Sequence, residues 1–220
     1  MKNYISKTFP SYIPLFPISG ALLLPHSKLP LNIFEPRYLE MIEDALRSPF
    51  RLIGMIQPKQ CIKEKTKIKH NSFHKVGCAG RISSFSETDD GRYLITLVGV
   101  SRFEFQEIQE IEKPYVKGKV NWSKFDNDLL EPKKIKNFNR KEFLNTLKKY
   151  FDSAQISSDW HVLQDVRDDV LINSLSMLCP FDPDEKQVLL EAETLFHRKK
   201  ILLTLMELSS EKSQNNEYIQ

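Results

Sequence analysis

The chain has 220 residues, of which 40% are hydrophobic and 28% are charged, and its formal net charge is +3 at pH 7. This length can bury a sizeable core in one large or two small domains, and the composition is too apolar for a disordered protein. No stretch approaches the roughly 18 apolar residues of a membrane-spanning helix, and the first residues lack the apolar core of a signal peptide. We therefore expect a cytoplasmic protein without membrane association.

Residues 9–122 are predicted to consist mainly of strands. The segment YIPLFPISGALLLP has short apolar runs broken by prolines and a glycine, which is typical of edge strands and bends. The segment VGCAGRISSFSETDDGRYLITLVGV predicts a hairpin that turns at Asp89-Asp90-Gly91, where glycine supplies a positive φ. Regularly spaced short strands favour a small barrel or sandwich with antiparallel pairing.

One helix is predicted inside this strand-rich half. Pro36 suits the first helical position because the first amides of a helix have no intrahelical partner. Leu39, Ile42 and Leu46 share one face and are expected to be buried. Glu35 and Arg37 are too close in sequence to share a helical face, so we expect each to pair with a distant group and to stabilise the fold.

The second half, residues 138–210, has the periodicity of helices. Asn139 followed by Glu142 is a capping-box pattern, and the segment Asp182-Pro183-Asp184-Glu185 is a typical helix start. Residues 123–137 have the composition of a linker, and the polar tail 211–220 is expected to fray. The predicted fold class is α+β, with a strand subdomain at 9–122 followed by a helical bundle at 138–210.

No catalytic constellation or cofactor site is predicted. His70, His74 and Cys78 have a metal-like spacing, but no fourth ligand is identified and Cys78 belongs to a strand, so no metal site is expected. The three cysteines form no C-x-x-C pair and suggest no disulfide framework. The chain contains neither G-x-S-x-G nor G-x-x-x-x-G-K-[ST], so we expect neither a serine hydrolase nor an ATPase.

The segment IPLFPISGALLLPHSKLPLNIFEPRYLEMIEDAL resembles the start of the N-terminal substrate-binding domain of the Lon protease family. Three later segments are similar to later blocks of that domain in the same order: VGCAGRI at 76–82, LVGVSRF at 97–103 and CPFDPDEKQVLLEAETLFHRKKILL at 179–203. Together the four segments extend over nearly the whole chain. The resemblance is strongest to short bacterial proteins that consist of this domain without the ATPase and protease domains.

The resemblance implies a PUA-like antiparallel β-barrel followed by a helical bundle. It also implies a non-enzymatic module that binds unfolded or exposed polypeptide segments, with an adaptor role beside a protease or chaperone system as one option. Phe34 and Tyr38 flank the strand-to-helix junction at Pro36, so they and Arg37 are the candidate substrate-binding residues. Sheet-edge hydrogen bonds and side-chain pockets would provide the binding. The sequence does not predict the oligomeric state or the identity of clients.

RNA binding is the alternative function. Residues 59–75 carry six lysines against one glutamate, and residues 133–149 carry seven basic residues against one glutamate. Such segments can bind phosphate backbones by releasing counterions, and PUA-like barrels include RNA-binding modules. The net charge of only +3 is small for a nucleic-acid-binding protein, and lysine-rich loops are often solvated loops that protect sheet edges. We therefore favour protein binding over RNA binding.

Overall fold

A computed structural model describes residues 9–59, 70–132, 135 and 138–217, without the side chains at 70, 161 and 212–217. The chain divides into two compact units, Met1–Glu131 and Pro132–Gln220. We call them the sheet unit and the helical unit after the elements that each contains. The predicted α+β class is confirmed.

The described part of the sheet unit contains six strands, one α-helix and two 3₁₀-helices. The strands and the α-helix are β1 (Tyr12–Pro17), β2 (Lys28–Ile33), α1 (Pro36–Arg47), β3 (Leu52–Ile56), β4 (Val76–Glu87), β5 (Tyr93–Gln109) and β6 (Val116–Asn121), and the 3₁₀-helices are His70–Ser72 and Ser123–Leu129. The strand order is β2-β5-β4-β3-β1-β6, and β5 also pairs with β6. These pairings join five strands in a closed circuit, and β2 extends the sheet from β5.

One strand pair departs from the antiparallel arrangement that the sequence predicts. Strands β1 and β3 are parallel, whereas each of the other described pairs is antiparallel. A parallel pair needs a long crossover connection. Strand β2 and helix α1 lie between β1 and β3 in the chain and supply that crossover.

The predicted hairpin between β4 and β5 is confirmed. Gly91 has a φ of 77°, and its N–H donates to the Thr88 carbonyl over 2.9 Å. The hairpin register pairs Glu87 with Tyr93 beside the turn. Gly91 therefore serves the role that the sequence assigns to it, because a left-handed backbone carries little cost for glycine.

The core of the sheet unit lies between the strands of the circuit. Its apolar cluster comprises Ile13, Leu15, Leu52, Ile56, Phe73, Ala79, Phe103, Phe105, Val120 and Trp122. The loop before β2 also approaches β5 closely, since a Cβ added at Gly99 would collide with the Leu24 carbonyl. Glycine at this position therefore permits the approach.

Residues 123–129 belong to the sheet unit, although their composition predicts a linker. They form the 3₁₀-helix Ser123–Leu129, in which Phe125 is buried. The Asp128 carboxylate accepts hydrogen bonds from Nε and Nη2 of Arg102 on β5, each over 2.8 Å. The segment has the polar composition of a linker, but the burial of Phe125 and the ion pair of Asp128 with Arg102 hold it against the strands.

Five α-helices are described in the helical unit: α2 (Arg140–Ser153), α3 (Trp160–Asp165), α4 (Asp168–Leu178), α5 (Pro183–Glu191) and α6 (Leu195–Glu217). Both predicted caps are confirmed, since the Asn139 side chain accepts from the Glu142 N–H and Asp182 forms a capping box with Glu185. Helix α6 extends to Glu217 and thus includes most of the tail that was expected to fray. Among the described helices, none is both long and apolar enough to cross a bilayer.

Candidate functional site

The candidate residues lie where β2 ends and α1 begins. Its N-cap, Glu35, has an extended backbone with φ −75° and ψ 130°, and Pro36 occupies the first turn as predicted. The buried residues of α1 are Tyr38, Met41, Ile42 and Ala45. The predicted buried stripe is therefore correct for Ile42 and wrong for Leu39 and Leu46, which are half-buried. The helix packs with its Tyr38-to-Ala45 face inward, so the buried stripe is rotated from the predicted one.

A cleft of about 370 Å³ opens at the junction of β2 and α1. Phe34, Arg37 and Tyr38 all line it, together with Phe16, Pro17, Ile18, Ser19, Asn32, Ile33, Glu35 and Pro58. The two candidate aromatics differ sharply, because Phe34 is 65% exposed whereas Tyr38 is 6% exposed. Phe34 can therefore contact a ligand directly, and Tyr38 forms part of the wall.

Arg37 pairs with Glu35, not with a distant group. Nε and Nη2 of Arg37 both donate to Oε2 of Glu35, over 2.9 and 2.6 Å. The expectation of distant partners is wrong because Glu35 precedes the helix and its extended backbone turns its carboxylate toward Arg37. The pair is only half-buried, with 26% of the Arg37 side chain and 34% of the Glu35 side chain exposed.

The wall of the cleft is built by contacts of the Tyr38 ring with Arg37 and Phe16. The guanidinium carbon of Arg37 lies 4.5 Å from the centre of the Tyr38 ring, and the rings of Tyr38 and Phe16 are 4.4 Å apart between centroids. Burial raises the pKa of Tyr38 above its ordinary value, so its hydroxyl is protonated at neutral pH. The cleft thus presents apolar surface next to a fixed ion pair.

A buried glutamine holds the loop whose residues Ile18 and Ser19 line the cleft. Gln57 is 2% exposed, and its Oε1 accepts a hydrogen bond from the Gly20 N–H over 3.0 Å. Gly20 has a φ of 74°, which favours glycine. This tie fixes the turn that follows Ile18 and Ser19. The sequence did not indicate that Ile18 and Ser19 line the cleft, although a glycine turn soon after an apolar strand was a visible signal.

Strand β2 is an edge strand among the described residues, because it pairs there only with β5. The Gly99 N–H donates to the Ser27 carbonyl, so by alternation the main-chain groups of Leu29, Leu31 and Ile33 face β5. Pro30 lies in the outward-facing set and has no N–H. The outer edge of β2 therefore offers fewer main-chain donors than an ordinary strand, and side-chain contacts must supply more of any binding.

The described residues contain no group of three or more His, Cys, Asp or Glu side chains placed to hold a metal ion. Of the three residues with metal-like spacing, Cys78 is buried within β4. The main-chain N–H of His74 donates to the Gln57 carbonyl. The His70 side chain lies outside the described part.

The geometry combines an apolar cleft, an exposed aromatic side chain at its mouth and an adjacent edge strand. The family model of the ATP-dependent protease La (LON) substrate-binding domain matches residues 12–207. The chain belongs to this family. That span includes the cleft and extends into α6.

Curated relatives are Lon proteases, to which the chain is similar over a limited part of their length. The Lon protease of Cytophaga hutchinsonii is 24% identical over 90% of this chain and 24% of its own length. The Lon protease of Parabacteroides distasonis is 30% identical over 49% of this chain and 13% of its own length. The chain therefore spans no more than about a quarter of these Lon proteases.

Two solved structures share the fold. The Lon N-terminal domain protein from Xanthomonas campestris aligns with a TM-score of 0.57 at 23% identity, covering 89% of this chain and 98% of that one. The N-terminal domain of Mycobacterium avium complex Lon protease aligns with a TM-score of 0.60 at 12% identity, with the same coverage of both chains. Membership of the Lon substrate-binding domain family identifies the chain as a substrate-recognition module in a proteolysis-related family.

Proposed function

We propose that the cleft binds exposed apolar segments of unfolded polypeptides. The observation that carries the proposal is Phe34, a large aromatic side chain that is 65% exposed at the mouth of an apolar cleft. A volume of about 370 Å³ lies within the usual range of ligand pockets. An apolar side chain of a client would enter the cleft and pack against Phe34 and the Tyr38 wall.

The ion pair gives the cleft its polar contacts. A guanidinium has five N–H donors, and Glu35 engages those on Nε and Nη2 of Arg37. Nη1 can therefore donate to a main-chain carbonyl of an extended client. Glu35 fixes the orientation of the guanidinium before the client arrives, which lowers the entropy cost of binding.

Binding without catalysis is the function that we propose for the whole chain. Because the family is the substrate-binding domain of a protease, an adaptor role follows as the wider proposal: the chain presents clients to a separate protease or chaperone system. A degradation assay tests this role directly. A purified Lon protease should degrade a client faster when the chain is added and should not do so with Phe34→Ala.

The decisive binding experiment uses a permanently unfolded, fluorescently labelled protein, such as reduced and alkylated α-lactalbumin, titrated with the full chain. Phe34→Ala should weaken binding at least tenfold, because the loss of a central aromatic contact typically exceeds 1.4 kcal/mol. The matched control is Phe85→Ala, which removes a 43% exposed phenylalanine of the same unit that does not line the cleft. Its affinity should equal that of wild type.

Salt dependence separates this function from RNA binding. Affinity for the unfolded protein should hold between about 50 and 200 mM salt, whereas RNA binding through several phosphates would fall on the order of a thousandfold. The proposal is wrong if Phe34→Ala binds the unfolded protein as tightly as wild type does. Tight RNA binding without any protein binding would establish the RNA alternative.

A further inference from the structure

The outer half of β4 forms a second free edge of the sheet. Strand β3 pairs with β4 only as far as Arg81, which lies opposite Leu52, whereas β4 continues to Glu87. Beyond Arg81, the described residues place a strand on only one side of β4, where β5 pairs with it. Residues 83–87 are all exposed, and we call them the β4 edge.

The main chain of the β4 edge has hydrogen-bonding groups that point away from the sheet. The Thr88 N–H donates to the Arg92 carbonyl over 2.9 Å, so by alternation the main-chain groups of Ser86 also face β5. The N–H and C=O groups of Phe85 and Glu87 therefore face outward, and no described residue pairs with them. Such a row of groups is a template for pairing with another strand.

The β2 edge and the β4 edge differ in how they are protected from pairing. Strand β2 carries Lys28 and Pro30, and charged residues and prolines are common means of keeping an edge strand from pairing with another chain. The β4 edge has the sequence SSFSE, without lysine, arginine or proline, and Phe85 at its centre is 43% exposed. A register shift between Ile82 and Ser84 lies at its start, so the rest pairs regularly with β5.

Opposite charges lie at the two ends of the β4 edge. Arg81 and Arg51 lie at its start, where the Arg51 carbonyl accepts a hydrogen bond from the main chain of β4 over 3.0 Å. Glu87 and Asp89 lie at its other end, beside the hairpin turn. All four side chains are exposed, and none has an ion-pair or hydrogen-bond partner among the described residues.

An edge with this charge pattern is complementary to a second copy of itself. Two identical strands that pair antiparallel about a two-fold axis bring the start of each strand beside the end of the other. An axis at Ser86 pairs the outward groups of Phe85 with those of Glu87 in the other copy, with two hydrogen bonds in each pair. The same arrangement brings Asp89 of each copy beside the two arginines of the other.

We propose that the chain forms a reversible dimer in which the β4 edges of two copies pair antiparallel. An unfolded client can pair with the main chain of the edge, but only a second copy supplies complementary charges at both ends. The paired segment has only five residues, so the dimer is weak and depends on concentration. No residue of the β4 edge lines the Phe34 cleft, so dimer formation and client binding use different side chains.

Charge reversal tests the proposal with the full chain. Sedimentation velocity at micromolar concentrations should show an equilibrium between monomer and dimer. Arg81→Asp and Asp89→Arg should each weaken the dimer about tenfold, because two-fold symmetry puts the reversed charge at both ends of the interface. An equimolar mixture of the two variants should form a heterodimer of nearly wild-type affinity, since opposite charges meet again at both ends. This recovery also shows that both variants are folded.

The matched control for charge is Lys75→Asp. Lys75 is exposed and precedes β4 at the end of the strand that is remote from the β4 edge. The substitution changes the net charge of the chain by the same amount as Arg81→Asp. It should leave the dimer affinity at the wild-type value, because Lys75 contacts no part of the proposed interface.

Amide hydrogen exchange measured by NMR tests the strand pairing itself. The amides of Phe85 and Glu87 should exchange about tenfold more slowly at high protein concentration than at low concentration, because the dimer pairs them. The amides of Ser84 and Ser86 face β5 and should exchange slowly at both concentrations.

Three results would overturn the proposal. A wild-type chain that stays monomeric at every concentration would show that the edges do not pair. A dimer that Arg81→Asp leaves intact, or that the mixture of variants does not restore, would place the interface elsewhere. Loss of binding to the unfolded protein in Arg81→Asp and Asp89→Arg would show that the β4 edge takes a client instead of a second copy.

Discussion

Two arginine–carboxylate pairs of the sheet unit form similar hydrogen bonds but differ in how far their side chains are buried. Arg102 and Asp128 lie 26 residues apart in the chain and are almost fully buried, with 6% and 10% of their side chains exposed. Arg37 and Glu35 lie two residues apart and are 26% and 34% exposed. The first pair ties the Ser123–Leu129 helix to β5, whereas the second orients a donor at the mouth of a cleft.

The difference in burial predicts that the two pairs contribute unequally to stability. Breaking a buried pair leaves an uncompensated charge away from water, which is costly. Breaking a half-exposed pair leaves a charge that water can solvate, so the stability cost is small. We therefore expect Arg102 to contribute mainly to stability, and we propose a recognition role for Arg37; the following variants test both.

The largest effect is expected for Asp128→Ala. This change leaves Arg102 buried without its carboxylate and should lower the free energy of unfolding by about 3–5 kcal/mol. Urea denaturation followed by Trp122 fluorescence reports on the sheet unit, because Trp122 belongs to its core. A Trp160→Phe background removes the other tryptophan of the chain.

Glu104→Ala is the matched control for that variant. Glu104 pairs with Lys124, which joins the same strand and the same 3₁₀-helix, but these side chains are 35% and 61% exposed. The control should lose no more than about 1 kcal/mol. If the two variants lose equal stability, burial does not distinguish these pairs.

A smaller effect is expected for Tyr115→Phe, which tests how α1 is held in place. The Tyr115 hydroxyl donates to Oδ2 of Asp44 over 2.9 Å, and Lys113 forms ion pairs with Glu40 and Asp44. Loss of a hydrogen bond to a charged group should cost roughly 1.5 kcal/mol at neutral pH. Because this network holds Glu40 and Asp44 of α1, we expect the helix to form without the Arg37 pair at its start.

The same variant has a predicted pH dependence. Burial, together with the hydrogen bond to Asp44, raises the pKa of Tyr115 to about 12 from 10.0. A raised folded-state pKa contributes stability that is complete below pH 10 and is lost as the pH rises toward 12. The stability difference between wild type and Tyr115→Phe should therefore shrink over that interval. The matched control at neutral pH is Tyr12→Phe, which removes a hydroxyl from a 38% exposed tyrosine and should leave the free energy of unfolding near that of wild type.

The smallest stability effect is expected for Arg37→Ala, at no more than about 1 kcal/mol. The pair is half-exposed and α1 has its other anchors, so urea denaturation should give nearly the wild-type midpoint. Affinity for the unfolded protein should nevertheless fall severalfold, and Arg37→Lys should restore only part of it because an ammonium cannot reproduce the paired guanidinium. A loss of several kcal/mol would instead support the structural role that the sequence predicts.

Local features of the fold were predictable because they depend on neighbouring residues. Pro36 started a helix, Gly91 closed a hairpin, and Asn139 and Asp182 capped helices as their patterns predict. Long-range features were not predictable in this way. The parallel pairing of β1 with β3 and the Arg102–Asp128 pair join distant segments, and no local pattern encodes them.

The candidate site was predictable in outline. The aromatic residues around Pro36 pointed to the junction of β2 and α1, where the structure places a cleft. The exposure of each residue was not readable from the sequence: Tyr38 lies on the buried face of α1, whereas Phe34, between β2 and α1, is exposed. The exposure of Val162, Val170 and Leu178 in the helical unit was likewise not readable, because aliphatic residues at helical spacing resemble ordinary core positions until the packing is known.

The length of β5 has a consequence for the order of folding. Strand β5 pairs with β4 across a tight turn, but it also pairs with β2 and β6, and β1 pairs with β6. A hairpin closes within microseconds, whereas pairings between distant segments carry a larger loop-closure entropy and form more slowly. The β4–β5 hairpin should therefore form first and serve as the template for the others. During synthesis the ribosome releases the apolar residues Leu31, Ile33 and Phe34 well before β5. This module therefore exposes an apolar segment of its own until the β4–β5 hairpin has been translated.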